Sequence, residues 1–98
     1  MEIIKQLNGQ ELTLKLVGEL NTVTSPELES VIKNDISNIT SLIFDFANLE
    51  YLSSAGLRIL LVAQKIMAKQ GKMTLRNVKK DVMEVLEITG FVNILNIE

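Results

Sequence analysis

Apolar residues change their spacing several times along the chain, and this alternation between strand and helix patterns constrains the fold more than any other feature. The segments EIIKQL and ELTLKLV lie on either side of Asn8 and Gly9. In the second segment, Leu12, Leu14 and Leu16 alternate with polar residues. Such alternation next to an Asn-Gly pair predicts two antiparallel strands joined by a tight turn. The chain is therefore predicted to begin with a β-hairpin that buries one face.

Helix patterns follow the hairpin at three places. Pro26 and the acidic residues that follow it predict the first turn of one helix, with the proline at its first position. A second helix is predicted from about Ser54 to Gln70, before Gly71. A third is predicted from about Lys79 to Thr89, before Gly90. Each helix pattern is separated from the next by a strand pattern.

The strand patterns between and after these helices define the fold class. SLIFDF is a short and nearly continuous apolar run, which is typical of a central strand that is covered on both faces. KMTLRNV predicts a further strand, and FVNILNI predicts the last one. Strands that alternate with helices in this way predict an α/β fold with a mixed sheet, in which parallel strands are joined by right-handed crossovers. We expect a single domain over residues 1–98.

Charge and residue usage exclude several functional classes. The chain has 10 basic and 12 acidic side chains and no basic run, which argues against direct nucleic-acid binding. It has no cysteine and no histidine, which excludes thiolate and imidazole catalysis and Cys/His zinc sites. Lys65 would lie roughly 16 Å from Ser54 along a helix, too far to act as its base. We therefore expect a protein that is not an enzyme and that has no cofactor and no metal site.

Targeting segments are also absent from the sequence. No basic stretch is followed by an apolar run and a small-residue cleavage site, so nothing in the sequence predicts export. The longest apolar runs are far shorter than the roughly 20 residues that span a bilayer. We expect a cytoplasmic protein without membrane insertion, and protein partners rather than nucleic acid.

Asp45, near the end of SLIFDF, has two interpretations. It fixes a local loop by accepting N–H hydrogen bonds, or it is a phosphoacceptor like that of a response regulator. The second role requires an acidic pair after the first parallel strand, and this sequence has none. We therefore predict the local role.

Three segments, in order and at the right spacing, resemble the STAS domain, the module of bacterial anti-sigma factor antagonists and of sulfate-transporter tails. FDFANLEYLSSAGLRILL is similar to the family signature. VGELNTVTSPEL is similar to the family's segment from the second strand into the first helix, with Asn21 where an aspartate is common. LRNVKKDVMEVLEITGF is similar to the closing segment. The resemblance extends over nearly the whole chain.

The resemblance implies a phosphorylation site at the start of the second helix. In the antagonists the phosphorylated serine stands two residues before the glycine that opens this helix, which corresponds here to Ser54. Ser53 stands where the best-known antagonists have an aspartate, so the choice between the two serines stays open. Without the resemblance, either serine is explained as a helix N-cap that is never modified.

The resemblance also implies partners and a switch. The unmodified form of such a protein captures an anti-sigma factor, itself a serine kinase with the ATPase fold of histidine kinases, and so releases a sigma factor. The kinase ends the capture by phosphorylating the serine, and a PP2C-type phosphatase restores it. One alternative is a STAS subunit that docks constitutively on a membrane transport system. Another is a small nucleotide-binding or hydrolytic protein, but the sequence has no phosphate-binding loop and no catalytic base for such a role.

The second helix has more apolar residues than one buried stripe requires. Arg58, Lys65 and Lys69 fall within a narrow wedge at 100° per residue, and Leu61 and Val62 flank it. Either the two apolar residues are half-buried beneath the lysine stems, or they form a docking surface beside the serines. The predicted partner-binding residues are Asn21, Thr22, Ser53, Ser54, Gly56, Leu57, Arg58, Leu61 and Val62.

Overall fold

A computed structural model describes residues 1–98 as five strands, three α-helices and one short 3₁₀ turn at Phe91–Asn93. None of the helices combines the length and the apolar composition that a membrane-spanning segment requires. In chain order the strands and helices are β1 (Glu2–Asn8), β2 (Glu11–Leu20), α1 (Ser25–Asp35), β3 (Ser41–Leu52), α2 (Ser54–Met67), β4 (Lys72–Arg76), α3 (Lys80–Ile88) and β5 (Asn96–Ile97).

The five strands form one mixed sheet in the order β1-β2-β3-β4-β5. β1 is antiparallel to β2, and every other neighbouring pair is parallel. This confirms the predicted hairpin, the parallel crossovers and the central position of β3. Each crossover steps to the next strand in the same direction, so right-handed connections put all three helices on one face of the sheet.

The core lies between this sheet face and the helices. Leu14, Phe44 and Leu75 stand side by side on three neighbouring strands, and all three are fully buried. Leu60 of α2 and Leu86 of α3 join them in one cluster of 23 buried residues. Burying each large apolar side chain stabilises the fold by about 1.5–3 kcal/mol. Together these contributions offset the conformational entropy that the chain loses on folding.

The second face of the sheet differs from the prediction. Ile43 lies between Thr13 and Thr74 in the strand register, and it is the one buried apolar residue outside the core cluster. Thr74 is also buried, and its hydroxyl accepts a hydrogen bond from Asn96 at 3.3 Å. The prediction that β3 is covered on both faces is therefore wrong for most of this strand: Ser41 and Asp45, on the same face as Ile43, are only half-buried, because the helices all pack on the first face.

The ends of two predicted segments are shifted. The hairpin turn is formed by Gly9 and Gln10, because Asn8 still pairs with Glu11 in the ladder. Gly9 occupies the left-handed region at φ 63°, which a side chain would disfavour. The second helix ends at Met67, three residues before the predicted end, and the next residues form a turn.

The predicted final strand FVNILNI is wrong for most of its length. Gly90, at φ 79°, ends α3, and the amide groups of Asn93 and Ile94 bond to carbonyl groups three residues earlier. These local bonds hold Phe91–Asn93 in a 3₁₀ turn that brings Leu95 into the core. Only Asn96–Ile97 reaches the sheet edge as β5.

Candidate functional site

The candidate site lies where β2 and β3 end at the same edge of the sheet. Leu20 and Leu52, the last residues of the two strands, are partners in the ladder. The Ser53 amide then donates a 2.9 Å hydrogen bond to the Leu20 carbonyl. This bond joins the loop after β2 to the start of α2, so the predicted residues before α1 and those at the start of α2 are brought together. Ligands of open α/β sheets bind at such carboxyl ends of strands.

Ser53 and Ser54 have different environments at this edge. Ser53 is the N-cap of α2, and its hydroxyl accepts a 3.3 Å hydrogen bond from the Gly56 amide. Its side chain is half-buried. Ser54 is the first residue of the helix and is exposed. The capping role therefore belongs to Ser53, while the Ser54 hydroxyl faces solvent.

This difference predicts unequal stability effects at the two serines. Ser53→Ala is expected to lower the free energy of unfolding by about 1 kcal/mol, because the Gly56 amide loses its capping acceptor. Ser54→Ala is expected to change it by less than about 0.5 kcal/mol, because the residue is exposed and outside the cap. Urea unfolding of both variants measures this. Equal effects at the two positions would contradict the assigned cap.

Asn21 organises the loop between β2 and α1. Its side-chain oxygen accepts 3.0 Å hydrogen bonds from the amides of Val23 and Thr24. The Thr24 hydroxyl accepts from the Asn21 amide at 2.9 Å and donates to the Glu19 carbonyl at 2.8 Å. An aspartate oxygen would accept the same two amides, so the neutral Asn21 is compatible with the turn. α1 starts at Ser25 with Thr24 as N-cap, one residue before the predicted start at Pro26.

The tip of this loop presents residues to solvent. Thr22 is exposed, and Val23 is 85% exposed beside it. Val23 was not among the predicted partner-binding residues. A β-branched apolar residue between two threonines, in a segment that belongs to neither a strand nor a helix, is the sequence signal that indicates it. An apolar side chain this exposed, in the loop that the bond between Ser53 and Leu20 joins to the start of α2, adds to the candidate surface.

Gly56 and Leu57 lie beneath the candidate surface rather than on it. A Cβ atom at Gly56 would lie 2.7 Å from Leu20 Cγ and 2.8 Å from Leu52 Cδ1. The glycine is thus explained by the close approach of α2 to the ends of β2 and β3. Leu57 is 6% exposed and belongs to the core cluster. Both residues therefore support the helix start and are not part of the exposed surface.

The outward face of α2 consists of Ser54, Arg58, Leu61, Val62 and Lys65. At 100° per residue these five side chains fall within about 100° around the helix axis. Ser54 and both basic residues are exposed, whereas Leu61 and Val62 are half-buried. Neither apolar residue is among the partly buried side chains that pack on the core cluster. α2 contains no acidic residue, so its outward face is positively charged with two accessible apolar side chains.

Asp45 has the local role that the sequence predicted. Its carboxylate accepts 3.0 Å hydrogen bonds from the Ala47 amide and from Asn77 Nδ2. Burial opposes ionisation, but the bonds from Asn77 and Ala47, with the charges of Lys15 and Arg76, leave the pKa of Asp45 below its ordinary value. Asn77 is the one non-glycine residue with positive φ, at 58°. Asp45 thus holds the loop between β4 and α3 against β3.

A lowered pKa makes this contact sensitive to acid. The folded state binds a proton at Asp45 less readily than the unfolded state. The contribution of Asp45 to the free energy of unfolding is therefore fully present above the ordinary pKa of 3.8, and it is lost as the pH falls through the lower pKa of the folded state. In urea unfolding, we expect Asp45→Asn to cost less than about 1 kcal/mol near neutral pH, because the group is partly exposed. Its difference from the parent protein should shrink below about pH 4. A difference that grows in acid would contradict this assignment.

Comparisons with known proteins agree with the architecture. The family model described as STAS domain matches residues 2–98. A Bordetella bronchiseptica protein, BtrV, named as a candidate anti-sigma factor antagonist, is 37% identical over 81 residues, which cover 81% of this chain and 70% of BtrV.

Solved structures share the fold at lower sequence identity. An anti-sigma factor antagonist from Mycobacterium paratuberculosis has a TM-score of 0.89 at 21% identity, covering 98% of this chain and 83% of that one. The anti-sigma factor antagonist SpoIIAA in its unphosphorylated form has a TM-score of 0.78 at 18% identity, covering 99% and 87%. SpoIIAA of Bacillus in its phosphorylated form has a TM-score of 0.77 at 19% identity, covering 99% and 91%. These likenesses establish the fold.

Proposed function

This chain belongs to the STAS domain family, and from that premise we propose that it is an anti-sigma factor antagonist controlled by phosphorylation of Ser54. The unmodified protein captures an anti-sigma factor that is a serine kinase with the ATPase fold of histidine kinases, and a sigma factor is released. Phosphorylation ends the capture, and a PP2C-type phosphatase reverses it. The related fold of SpoIIAA has been solved in both unphosphorylated and phosphorylated forms, which supports the proposal.

One observation carries the choice of Ser54. Its hydroxyl is exposed at the first position of α2, whereas the neighbouring Ser53 hydroxyl is engaged with the Gly56 amide. Phosphoryl transfer requires the attacking oxygen to approach the γ-phosphorus of ATP in line with the leaving oxygen of ADP. An exposed hydroxyl at the end of a helix meets this requirement without breaking a cap.

In the proposed reaction, this chain supplies only the nucleophile. A bond forms between Ser54 Oγ and the γ-phosphorus, the bond from that phosphorus to the bridging oxygen breaks, and ADP leaves. The hydroxyl proton passes to a base of the kinase, because this chain contains no histidine and the outward face has no carboxylate, its charged side chains being Arg58 and Lys65. The protein is thus a substrate of the kinase.

The partner-binding surface that we propose combines the loop tip with the outward face of α2. Thr22 and Val23 are exposed in the loop after β2, which the bond between Ser53 and Leu20 joins to the helix start at Ser54, and Arg58 and Val62 continue the surface along the helix. A half-buried apolar centre with an exposed basic rim is typical of protein interfaces. The exposed Ser54 hydroxyl is part of this surface, where an added phosphate would need to be desolvated on binding.

Val62 tests this surface away from the phosphorylation site. We expect Val62→Asp to weaken capture of the anti-sigma kinase by more than about 1 kcal/mol, because a charge would face the apolar centre of the interface. Titration calorimetry measures capture, and thermal unfolding measures the fold. Val92→Asp is a control on a more exposed valine, in the 3₁₀ turn. If Val62→Asp loses as much unfolding free energy as binding free energy, Val62 belongs to the core instead.

Detection of the modification tests the proposed function most directly. Protein purified from its own cells, in growth and in stationary phase, is analysed by intact mass and by fragment spectra. We expect one phosphate, on Ser54, with an occupancy that differs between the two conditions, and copurification of a kinase. Phosphate on Ser53, or a protein that is never modified and copurifies with a membrane transport system, would overturn the proposal.

A further inference from the structure

Arg58 is an exposed cation without an ion-pair partner. The ion pairs of the chain join Lys5 to Asp35, Lys33 to Glu29, Arg76 to Glu98 and Lys79 to Glu50, and Arg58 is in none of them. It also makes no side-chain hydrogen bond with the rest of the chain, since its helix contains no acidic residue and its neighbours on the outward face are apolar or basic. The folded domain therefore uses neither the charge nor the donors of this guanidinium.

Arg58 is also the cation nearest to Ser54 along α2. The two residues are four apart in a continuous helix, which puts their side chains about 40° apart around the axis and one turn apart along it. Side chains on a helix tilt toward its N-terminus, so a side chain as long as that of Arg58 can reach back toward Ser54. Lys65, on the same face, starts roughly 16 Å away and cannot reach the serine.

The direction and chemistry of this pair suit a phosphate. An anion four residues before a cation on a helix is the more favourable order for such a pair. A guanidinium donates two parallel N–H groups to phosphate oxygens, which a lysine ammonium cannot do. A phosphate on Ser53 would stand five residues before Arg58, off this face, and would remove the cap of α2.

We propose that Arg58 binds the phosphate of phosphorylated Ser54 within the same chain. The proposal rests on the proposed function for the origin of the phosphate. Before modification, Arg58 and Lys65 give the outward face a charge of +2. A phosphate of about −2 brings this sum to about 0 and also occupies the Arg58 guanidinium. Phosphorylation therefore removes a cation from the docking surface as well as adding an anion.

The test uses protein in which phosphoserine is incorporated at position 54 during translation, so no kinase is needed. The titration midpoint of the phosphate is followed by ³¹P NMR in the parent sequence, in Arg58→Gln and in the control Lys65→Gln. We expect the midpoint to lie about 0.3 pH units lower with Arg58 present than in Arg58→Gln, and Lys65→Gln to match the parent. The difference should shrink in about 0.5 M NaCl, because salt screens an exposed pair.

Equal titration midpoints in the parent and in Arg58→Gln would overturn the pairing. A midpoint in Lys65→Gln that shifts as much as in Arg58→Gln would overturn it too, because the shift would then reflect the overall positive charge of the helix face and not a specific pair. Thermal unfolding of unmodified Arg58→Gln checks that the helix is intact, and Arg58→Lys tests whether the planar guanidinium matters. The result is independent of the cellular experiment on Ser54. If the NMR titration shows no pairing, the proposed function is unaffected. If no kinase modifies Ser54 in cells, the pairing measured by NMR is unaffected.

Discussion

A Gly71→Ala variant is expected to lose about 3 kcal/mol of unfolding free energy, the largest loss expected among alanine substitutions of the five glycines. A Cβ atom at Gly71 would lie 1.8 Å from the Thr40 carbonyl oxygen and 2.6 Å from the carbonyl carbon. Backbone atoms cannot rotate away as a side chain can. The same Thr40 oxygen accepts a 3.0 Å hydrogen bond from the backbone amide of Lys72, so displacing this oxygen also disturbs the start of β4 beside β3.

Urea unfolding with circular dichroism measures this loss, and Gly90→Ala is the matched control. Gly90 has a positive φ of 79° but no atom within 4 Å of an added Cβ. It should cost only about 1 kcal/mol, from backbone strain. Equal losses in the two variants would mean that Thr40 moves aside without cost, and the close approach would then not explain the glycine.

A Ser54→Asp variant is expected to bind the anti-sigma kinase at least tenfold more weakly than the unmodified protein, while its fold is retained. Tenfold weakening corresponds to about 1.4 kcal/mol, well within the cost of desolvating a carboxylate at an interface. The N-terminus of a helix favours negative charge, so the same substitution should not lower the unfolding temperature. Ser54→Ala is expected to bind normally and to resist phosphorylation, because it lacks the hydroxyl. Calorimetry against the kinase measures all three proteins.

Ser37→Asp is the control for charge alone. Ser37 is an exposed serine that follows α1, at the edge of the sheet opposite the start of α2, so the same charge there should leave binding unchanged. Two results would contradict the assignment of Ser54. Stoichiometric phosphorylation of Ser54→Ala at Ser53 would shift the site by one residue, and tight binding by Ser54→Asp would contradict an electrostatic switch.

Local patterns in the sequence were sufficient for most of the architecture. The alternation of Leu12, Leu14 and Leu16 and the apolar run around Phe44 depend on nearest neighbours, and a strand is found at each place, although β3 continues six residues beyond SLIFDF to Leu52. The last strand was mispredicted because FVNILNI has a strand-like composition, while a 3₁₀ turn after Gly90 determines its path. The role of Gly71 could not be predicted, because it depends on Thr40, which is distant in the sequence.

The location of the candidate site could be predicted from the sequence, but the separate roles of its two serines could not. The position of the serines before Gly56 indicated a helix start, and the wedge around Arg58 indicated the outward face of α2. Sequence alone did not distinguish Ser53 from Ser54, since either residue type caps a helix and only the hydrogen bond to the Gly56 amide distinguishes them. The contribution of Val23 was missed because exposure depends on the loop geometry that Asn21 sets.

The bond from the Ser53 amide to the Leu20 carbonyl has a kinetic consequence for the proposed switch. Together with the packing of Gly56 against Leu20 and Leu52, it fixes the start of α2 on the sheet. A phosphate added to Ser54 then meets a preformed surface, and no segment has to fold or unfold before the charge takes effect. Segment rearrangements take microseconds or longer, and they would add a delay to each signal. Without that step, the speed of the response depends on how fast the kinase and the phosphatase turn over and on how fast the partners bind and dissociate.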